Sequence, residues 1–246
     1  MKATMKQGRA LAAAGSLLVI SGCGTVNTSV LEDILAGTGT AGGALSESTI
    51  IAGLRQALEV GTERTVSTTS RVDGFFGNPL IRIPVPTELL QVATTLRGVG
   101  LGGKVDEFEL AMNRAAEQAS GEAVGVFWSA IKSMSIQDAR GILNGPDNAA
   151  TSYFQGRTEA ELETRFRPIV DAKMQELGYV KKYEELADAY AALPLTTRPA
   201  FDPEAYVTDR ALDGLFKVLE GEEKKIRDDP AARTTELLRQ VFGATS

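Results

Sequence analysis

The stretch that decides the fold reads KVDEFELAMNRAAEQAS over residues 104–120. Its apolar side chains recur three and four residues apart, at Val105, Phe108, Met112, Ala115 and Ala119. This spacing puts them on one side of an α-helix, as in the seam of a helical bundle. Similar spacing continues as far as Ser133. The sequence therefore predicts one long helix over about 104–133, with Gly121 and Gly125 as places for a bend or a close helix contact.

Capping residues predict further helices on both sides of this stretch. Helix starts are expected at Ser46 or Ser48, and at Thr87, Ser135, Asp147, Thr158, Asp202 and Thr234, with a full capping box over 158–161. The helix after Thr158 should run to about residue 177 with a kink at Pro168, and another helix should end at Pro194. The predicted fold class is therefore all-α, with a single helical-bundle-like domain over 46–246.

Residues 73–86 interrupt the helical pattern. Pro84 and Pro86 exclude a continuing helix, and proline pushes the residue before it toward extended geometry. The sequence therefore predicts a proline-rich extended arm. Two interpretations of its start are open: the arm covers the core of the bundle, or Phe75 and Phe76 form a contact loop for a partner.

Polar side chains beside the apolar seam form a candidate site. Glu109, Asn113 and Glu117 follow one another at helical spacing, and Arg114 lies beside them. One interpretation is a polar network that fixes helix register. The other is a small polar pocket for a ligand or cation, with Glu109, Asn113, Arg114 and Asp213 as its candidate residues. No metal site is predicted, because Ca²⁺ normally takes six to eight oxygen ligands and no dense acidic loop supplies them.

Composition restricts the function classes. The chain has 26 basic and 32 acidic residues, a net charge of −6, and this acidic balance argues against nucleic acid as a partner. It has no histidine, which removes the usual general base and the Ser-His and Cys-His nucleophile pairs. The one cysteine, Cys23, excludes an intramolecular disulfide. No cofactor is predicted, and an enzyme would have to depend on carboxylates, Lys, Tyr, Ser or Thr.

Three short patterns are best explained without a special function. Gly98, Gly100 and Gly103 match the GxGxxG fingerprint, but a predicted helix precedes them where a nucleotide-binding unit needs a strand. Ser129-x-x-Lys132 lacks the two further elements that penicillin-binding enzymes require. The run Glu222–Lys225 is interpreted as a solvated helix face.

The N-terminus predicts an export signal. A basic start, Met1–Arg9, precedes an apolar run, Ala10–Ile20, which is too short to span about 30 Å of hydrocarbon. Small residues 21 and 22 lie directly before Cys23, an order that looks like a bacterial lipoprotein signal. It predicts a signal peptide over 1–22, acyl chains on Cys23 and a flexible tether over 23–45. The alternatives are an ordinary signal peptide and a cytosolic protein with an apolar start.

Several runs in the body carry a family resemblance. They are DGFFGNP at 73–79, IRIPVP at 81–86, ELAMNRAAE at 109–117, YVT at 206–208 with ALDGLF at 211–216, and VFG at 241–243. Together they resemble the bacterial domain-of-unknown-function family 4197, over roughly residues 46–243. The resemblance implies a helical fold and an envelope address, since members commonly carry a lipoprotein signal. It implies no activity and no catalytic residues.

The sequence as a whole predicts a lipid-anchored helical protein that faces the periplasm. Gly24, where inner-membrane lipoproteins tend to have Asp, indicates the outer membrane. Its expected partners are the membrane, through Cys23, and an envelope protein or small ligand. A binding or scaffold module is the preferred function. The alternative is an envelope hydrolase that uses carboxylates, with Glu109 and Asp213 as the first residues to test.

Overall fold

The computed structural model describes residues 46–192 and 201–229, apart from the side chains of residues 179 and 180. In this part of the chain all regular secondary structure is helical, which confirms the all-α prediction. The helices are α1 (Glu47–Thr69), a 3₁₀ turn (Thr87–Leu89), α2 (Leu90–Gly98), α3 (Gly102–Ser120), α4 (Ala123–Ser133), α5 (Ile136–Leu143), α6 (Ala149–Glu176), α7 (Tyr179–Ala191) and α8 (Pro203–Asp228).

Three long helices, α3, α6 and α8, pack against one another and form the centre of the domain. The seam residues Phe108, Met112 and Ala115 of α3 are fully buried there, as the spacing predicted. α1 packs on α8 and α4, and α7 packs on α3. The ring centroids of Phe127 and Phe154 lie 5.2 Å apart in an edge-on contact, which joins α4 to α6.

Three predicted helix starts are confirmed by side-chain caps. The Ser46 hydroxyl accepts a hydrogen bond from the backbone N–H of Thr49. Ser135 and Asp138 form a reciprocal capping box at the start of α5. The Asp202 carboxylate accepts from the N–H of Ala205, and Pro203 occupies the first turn of α8.

The long helix expected over 104–133 is two helices. Near Gly121 the backbone hydrogen bonds span three residues instead of four. The N–H of Gly121 donates to the carbonyl of Gln118, and the N–H of Glu122 donates to that of Ala119. Three-residue bonds of this kind end an α-helix. Thr87 does not act as a side-chain cap either, because this segment opens with the 3₁₀ turn after Pro86.

A capping box at Thr158 was also a wrong prediction, because α6 is continuous through this position. The Thr158 hydroxyl donates to the carbonyl of Phe154 inside the helix, at 2.7 Å. The true start of α6 is held by Glu223 of α8, which accepts from the backbone N–H groups of Ala150 and Thr151. Glu222 and Glu223 are only 7% and 8% exposed, so the solvated face expected over 222–225 is wrong at both residues.

Several predictions concern residues outside the described ranges. They are the signal peptide over 1–22, acylation of Cys23, the tether over 23–45, and the last helix at 234–242. Among the helices of the described ranges, none combines the length and the apolar composition of a membrane span.

Candidate functional site

The arm over residues 73–86 is packed into the domain. Phe75 is fully buried, and Ile81 and Ile83 are nearly so. The arm turns sharply after α1 at Gly74, where an added Cβ would lie 2.5 Å from the carbonyl oxygen of Thr68. It also approaches α8 closely, because a Cβ on Gly214 would lie 2.5 Å from Cε1 of Phe75. The arm therefore depends on two glycines that allow these close contacts.

Glu117 of α3 holds the start of the arm. Its Oε1 accepts hydrogen bonds from the backbone N–H groups of Phe75 and Phe76, at 3.1 and 3.2 Å. Its Oε2 accepts from Arg114 at 2.7 Å, and Arg114 also donates to Asp73 at 2.8 Å. Glu117 is 3% exposed, so its charge is balanced by Arg114 and by two backbone dipoles rather than by water.

Asn113 holds the middle of the arm, one helical turn away. Its Oδ1 accepts from the N–H of Ile83 at 2.9 Å, and its Nδ2 donates to the carbonyl of Ile83 at 2.8 Å. The amide side chain thus bonds to both backbone groups of one residue, as a neighbouring β-strand would. Since Asn113 is fully buried, these bonds satisfy polar groups that have no access to water.

Glu109 completes the polar row on α3. Its carboxylate accepts from Nε of Arg82 at 2.7 Å, and the guanidinium of Arg82 lies 4.1 Å from the ring centroid of Phe76. We name Glu109, Asn113, Arg114 and Glu117 the arm clamp. These residues form a polar network that binds the arm, and within the described ranges no hydrogen bond of the network joins α3 to a second helix. Phe75 faces the core, whereas Phe76 remains half-buried under Arg82.

Asp213 takes no part in the arm clamp in any hydrogen bond of the described residues. Its side chain is 67% exposed and pairs with Arg210 of the same helix at 3.3 Å. It borders a cleft of about 380 Å³ between the arm and α8. Tyr206 lines this cleft and donates its hydroxyl proton to the carbonyl of Pro84 at 3.1 Å. Burial raises the pKa of Tyr206 although Arg210 opposes this shift, so the hydroxyl keeps its proton at neutral pH.

The model of one protein family matches most of the chain. It is described as "Protein of unknown function (DUF4197)" and covers residues 44–243. The chain belongs to this family. No curated protein and no solved structure matches the chain. The description of DUF4197 assigns no activity to its members.

Polar contacts in this DUF4197 domain join residues that are far apart in sequence. Glu117 bonds to the arm across 42 positions, and Arg82 bonds to Glu109 across 27. Spacing within α3 could indicate that Glu109, Asn113 and Glu117 share a side. Nothing in the sequence indicated that Arg82 or Asp73 would meet them, because these pairings depend on the path of the arm.

The contacts of the arm clamp are those of a network that holds the arm in position, not those of a catalytic centre. The carboxylate of Glu109 is bonded to Arg82 and that of Glu117 to Arg114, and the Asn113 amide is bonded to backbone. No group of three or more His, Cys, Asp or Glu residues within the described ranges is arranged to hold a metal ion. The arm clamp can therefore fix one wall of the cleft in place.

The GxGxxG pattern of this DUF4197 domain lies in a helix–helix joint. Gly98 ends α2, Gly100 has a positive φ of 84°, and Gly102 begins α3. A dinucleotide fingerprint needs a strand before the glycines, and here a helix precedes them. Ser129 donates to the carbonyl of Gly125 on the exposed side of α4, as expected for an ordinary surface helix.

Proposed function

We propose that this DUF4197 protein is a lipid-anchored module that faces the periplasm and binds or organises another component of the bacterial envelope. One observation carries the anchor: the basic, apolar and small-residue order that ends at Cys23. An acylated Cys23 would hold the protein at a membrane because each buried methylene adds about 0.8 kcal/mol and several chains act together. Gly24 favours the outer membrane as the address.

A binding role fits the chemistry of the body better than catalysis does. With no histidine in the chain, acid–base chemistry would depend mainly on carboxylates. The two first candidates, Glu109 and Asp213, each pair with an arginine. No contact of the described residues favours the hydrolase alternative. The cleft between the arm and α8 offers instead a fixed, polar surface that a partner or ligand can occupy.

Cell fractionation of a Cys23→Ser variant tests the anchor. We expect the native chain in the membrane fraction and the variant released or retained as unprocessed precursor, with Ser29→Ala as a matched control that stays with the membrane. Mass spectrometry of the mature N-terminal peptide should show acyl chains on residue 23. An unmodified cysteine, or a native chain in the cytosol with residues 1–22 still attached, would contradict the proposal.

A further inference from the structure

Three cationic side chains line the cleft between the arm and α8, although the chain has a net charge of −6. They are Arg82, Arg210 and Lys217, and they pair with the carboxylates of Glu109, Asp213 and Glu220 respectively. Of these carboxylates, Asp213 lines the cleft itself. Preference for an anion therefore depends on how the cationic groups are oriented, not on a net positive charge.

Arg82 is oriented before any ligand arrives. Its Nε donates to Glu109, and its guanidinium stacks on Phe76 with Cζ 4.1 Å from the ring centroid. Neither terminal nitrogen of Arg82 has a polar partner in the described part of the chain. These two nitrogens form the planar fork that binds two oxygens of one oxyanion, and a guanidinium that is already fixed loses less entropy on binding.

Arg210 and Lys217 lie on the facing helix. Cζ of Arg210 lies 5.5 Å from the ring centroid of Tyr206, and its pairing with Asp213 is long, at 3.3 Å. Lys217 is 61% exposed and pairs with Glu220. Both are close enough to the surface to turn toward a ligand. The guanidinium of Arg82 on the arm, together with the two cations of α8, suits an oxyanion whose two negative charges are shared by several oxygens.

The size of the cleft indicates more than a bare ion. About 380 Å³ lies within the range of small-molecule sites, roughly 300–1,000 Å³. At the mouth, Leu80 is 79% exposed and provides apolar surface for an organic group. We propose that the cleft binds a phosphate-bearing molecule, with the phosphate held by Arg82 and Arg210. This inference rests on the proposed binding role and is independent of the acyl anchor.

Titration of the full chain with inorganic phosphate, followed by NMR or calorimetry, tests the phosphate site. We expect saturable binding with a Kd of about 1 mM or tighter. Arg82→Gln should weaken it at least about tenfold, since a hydrogen bond to a charged group contributes that much or more. The matched control is Arg97→Gln, because Arg97 has similar side-chain exposure, 46% against 41%, and also pairs with one carboxylate, Asp106. The Arg97→Gln variant should change the Kd for phosphate less than twofold.

Arg210→Gln is the second variant, because Arg210 makes no contact with the arm clamp in the described residues and touches the arm only indirectly, through Tyr206, whose hydroxyl binds the carbonyl of Pro84. We expect a loss of about threefold or more with an unchanged melting temperature. A parallel measurement with the Cys23→Ser chain and vesicles of phosphatidylglycerol or phosphatidylcholine separates a lipid headgroup from a free phosphate compound. Binding to only the anionic vesicles, lost with Arg82→Gln, would support the site with a lipid as its source.

Three results would overturn the phosphate site: no binding to either probe, an equal loss with Arg97→Gln, or no loss with Arg82→Gln and Arg210→Gln. These outcomes are distinguishable from failure of the proposed function. A membrane-bound native chain that binds neither probe would retain the anchor and reject the cleft. A cytosolic chain that binds phosphate would reject the anchor and retain the phosphate site in the cleft.

Discussion

Two buried glutamates, Glu117 of α3 and Glu223 of α8, bind backbone in nearly the same way. Each carboxylate accepts from two consecutive N–H groups and pairs with an arginine of its own helix. Glu223 holds the first turn of α6, whereas Glu117 holds an arm without regular secondary structure. The same chemistry thus provides a helix start in one place and, in the other, a fixed path for an irregular segment.

The start of α6 and the arm differ in the other interactions that stabilise the backbone bound by the glutamate. The N–H groups at the start of α6 belong to a long helix whose dipole also favours a carboxylate there. The arm has no such dipole, so it depends on Glu117, on Asn113 and on the burial of Phe75. We therefore expect loss of Glu223 to affect global stability, and loss of Glu117 to affect the arm first.

The largest effect should come from Glu223→Ala. It removes the acceptor of two backbone N–H groups and of the Thr151 hydroxyl, and it leaves the charge of Arg227, which is 16% exposed, without this partner. We expect a loss of about 3–5 kcal/mol in the free energy of unfolding, measured with urea.

Glu222→Ala is the matched control for this change. Glu222 is similarly buried, at 7%, but its partners Lys225 and Arg64 are 63% and 35% exposed, and no backbone N–H depends on it in the described residues. Its loss should cost under about 1 kcal/mol. Equal losses in the two variants would show that burial, and not backbone binding, decides the effect.

The contrast also shows how far sequence reasoning reaches. Apolar spacing predicted an all-α bundle and the seam of α3, and capping residues predicted the helix starts at Ser135, at Asp202 and at Ser46 or Ser48. Glu117 drew attention because it borders that seam. Glu223 did not, because it lies in a Glu-Glu-Lys-Lys run that has the composition of a solvated face. Its burial depends on α6 crossing α8, and local pattern does not contain such long-range contacts.

Glu117→Ala should lower the free energy of unfolding by about 2–4 kcal/mol, less than Glu223→Ala does, because Arg114 keeps its bond to Asp73. The arm should also become more sensitive to limited proteolysis than the helices. Glu107→Ala is the control on the same helix, since Glu107 is 63% exposed and pairs only with Lys182 among the described residues, and it should cost under about 0.5 kcal/mol. Unchanged proteolysis of the arm would show that burial of Phe75 alone holds it.

Gly214→Ala tests the apolar side of the same contact. The added Cβ would lie 2.5 Å from Phe75 and 3.2 Å from Ile81, so either the arm or α8 must move. We expect a loss of about 1–3 kcal/mol, measured by thermal unfolding. Gly221→Ala in the same helix has no atom within 4 Å of the new Cβ and should gain about 0.5–1 kcal/mol. A gain at both positions would show that the arm is not tightly packed.

The smallest effect on stability concerns Glu204 and Asp209 of α8, which accept no backbone hydrogen bond from the described residues. Burial, with Asp171 nearby, raises the pKa of Glu204, and burial with Glu163 nearby raises that of Asp209, while Arg167 opposes both shifts. A raised pKa means that the folded state binds the proton more tightly than the unfolded state does. The free energy of unfolding should therefore fall as the pH rises through the pKa of these two carboxyl groups.

Charge removal by Glu204→Gln or Asp209→Asn should therefore stabilise the protein at neutral pH, by at most about 0.5 kcal/mol because water screens the repulsion. The gain should disappear on acidification below the ordinary carboxyl range. Urea unfolding at several pH values measures it, with exposed Glu63→Gln on α1 as the control. A gain that does not depend on pH would reject the electrostatic explanation.

Hydrogen–deuterium exchange of single amides tests the central claim, that the arm clamp makes an irregular segment part of the core. We predict slow exchange at Phe75, Phe76 and Ile83, comparable to the interior of α3, beside fast exchange at Val72, which is 73% exposed. Glu117→Ala should release Phe75 and Phe76 selectively. Exchange at all four amides as fast as in an unfolded chain would contradict the account.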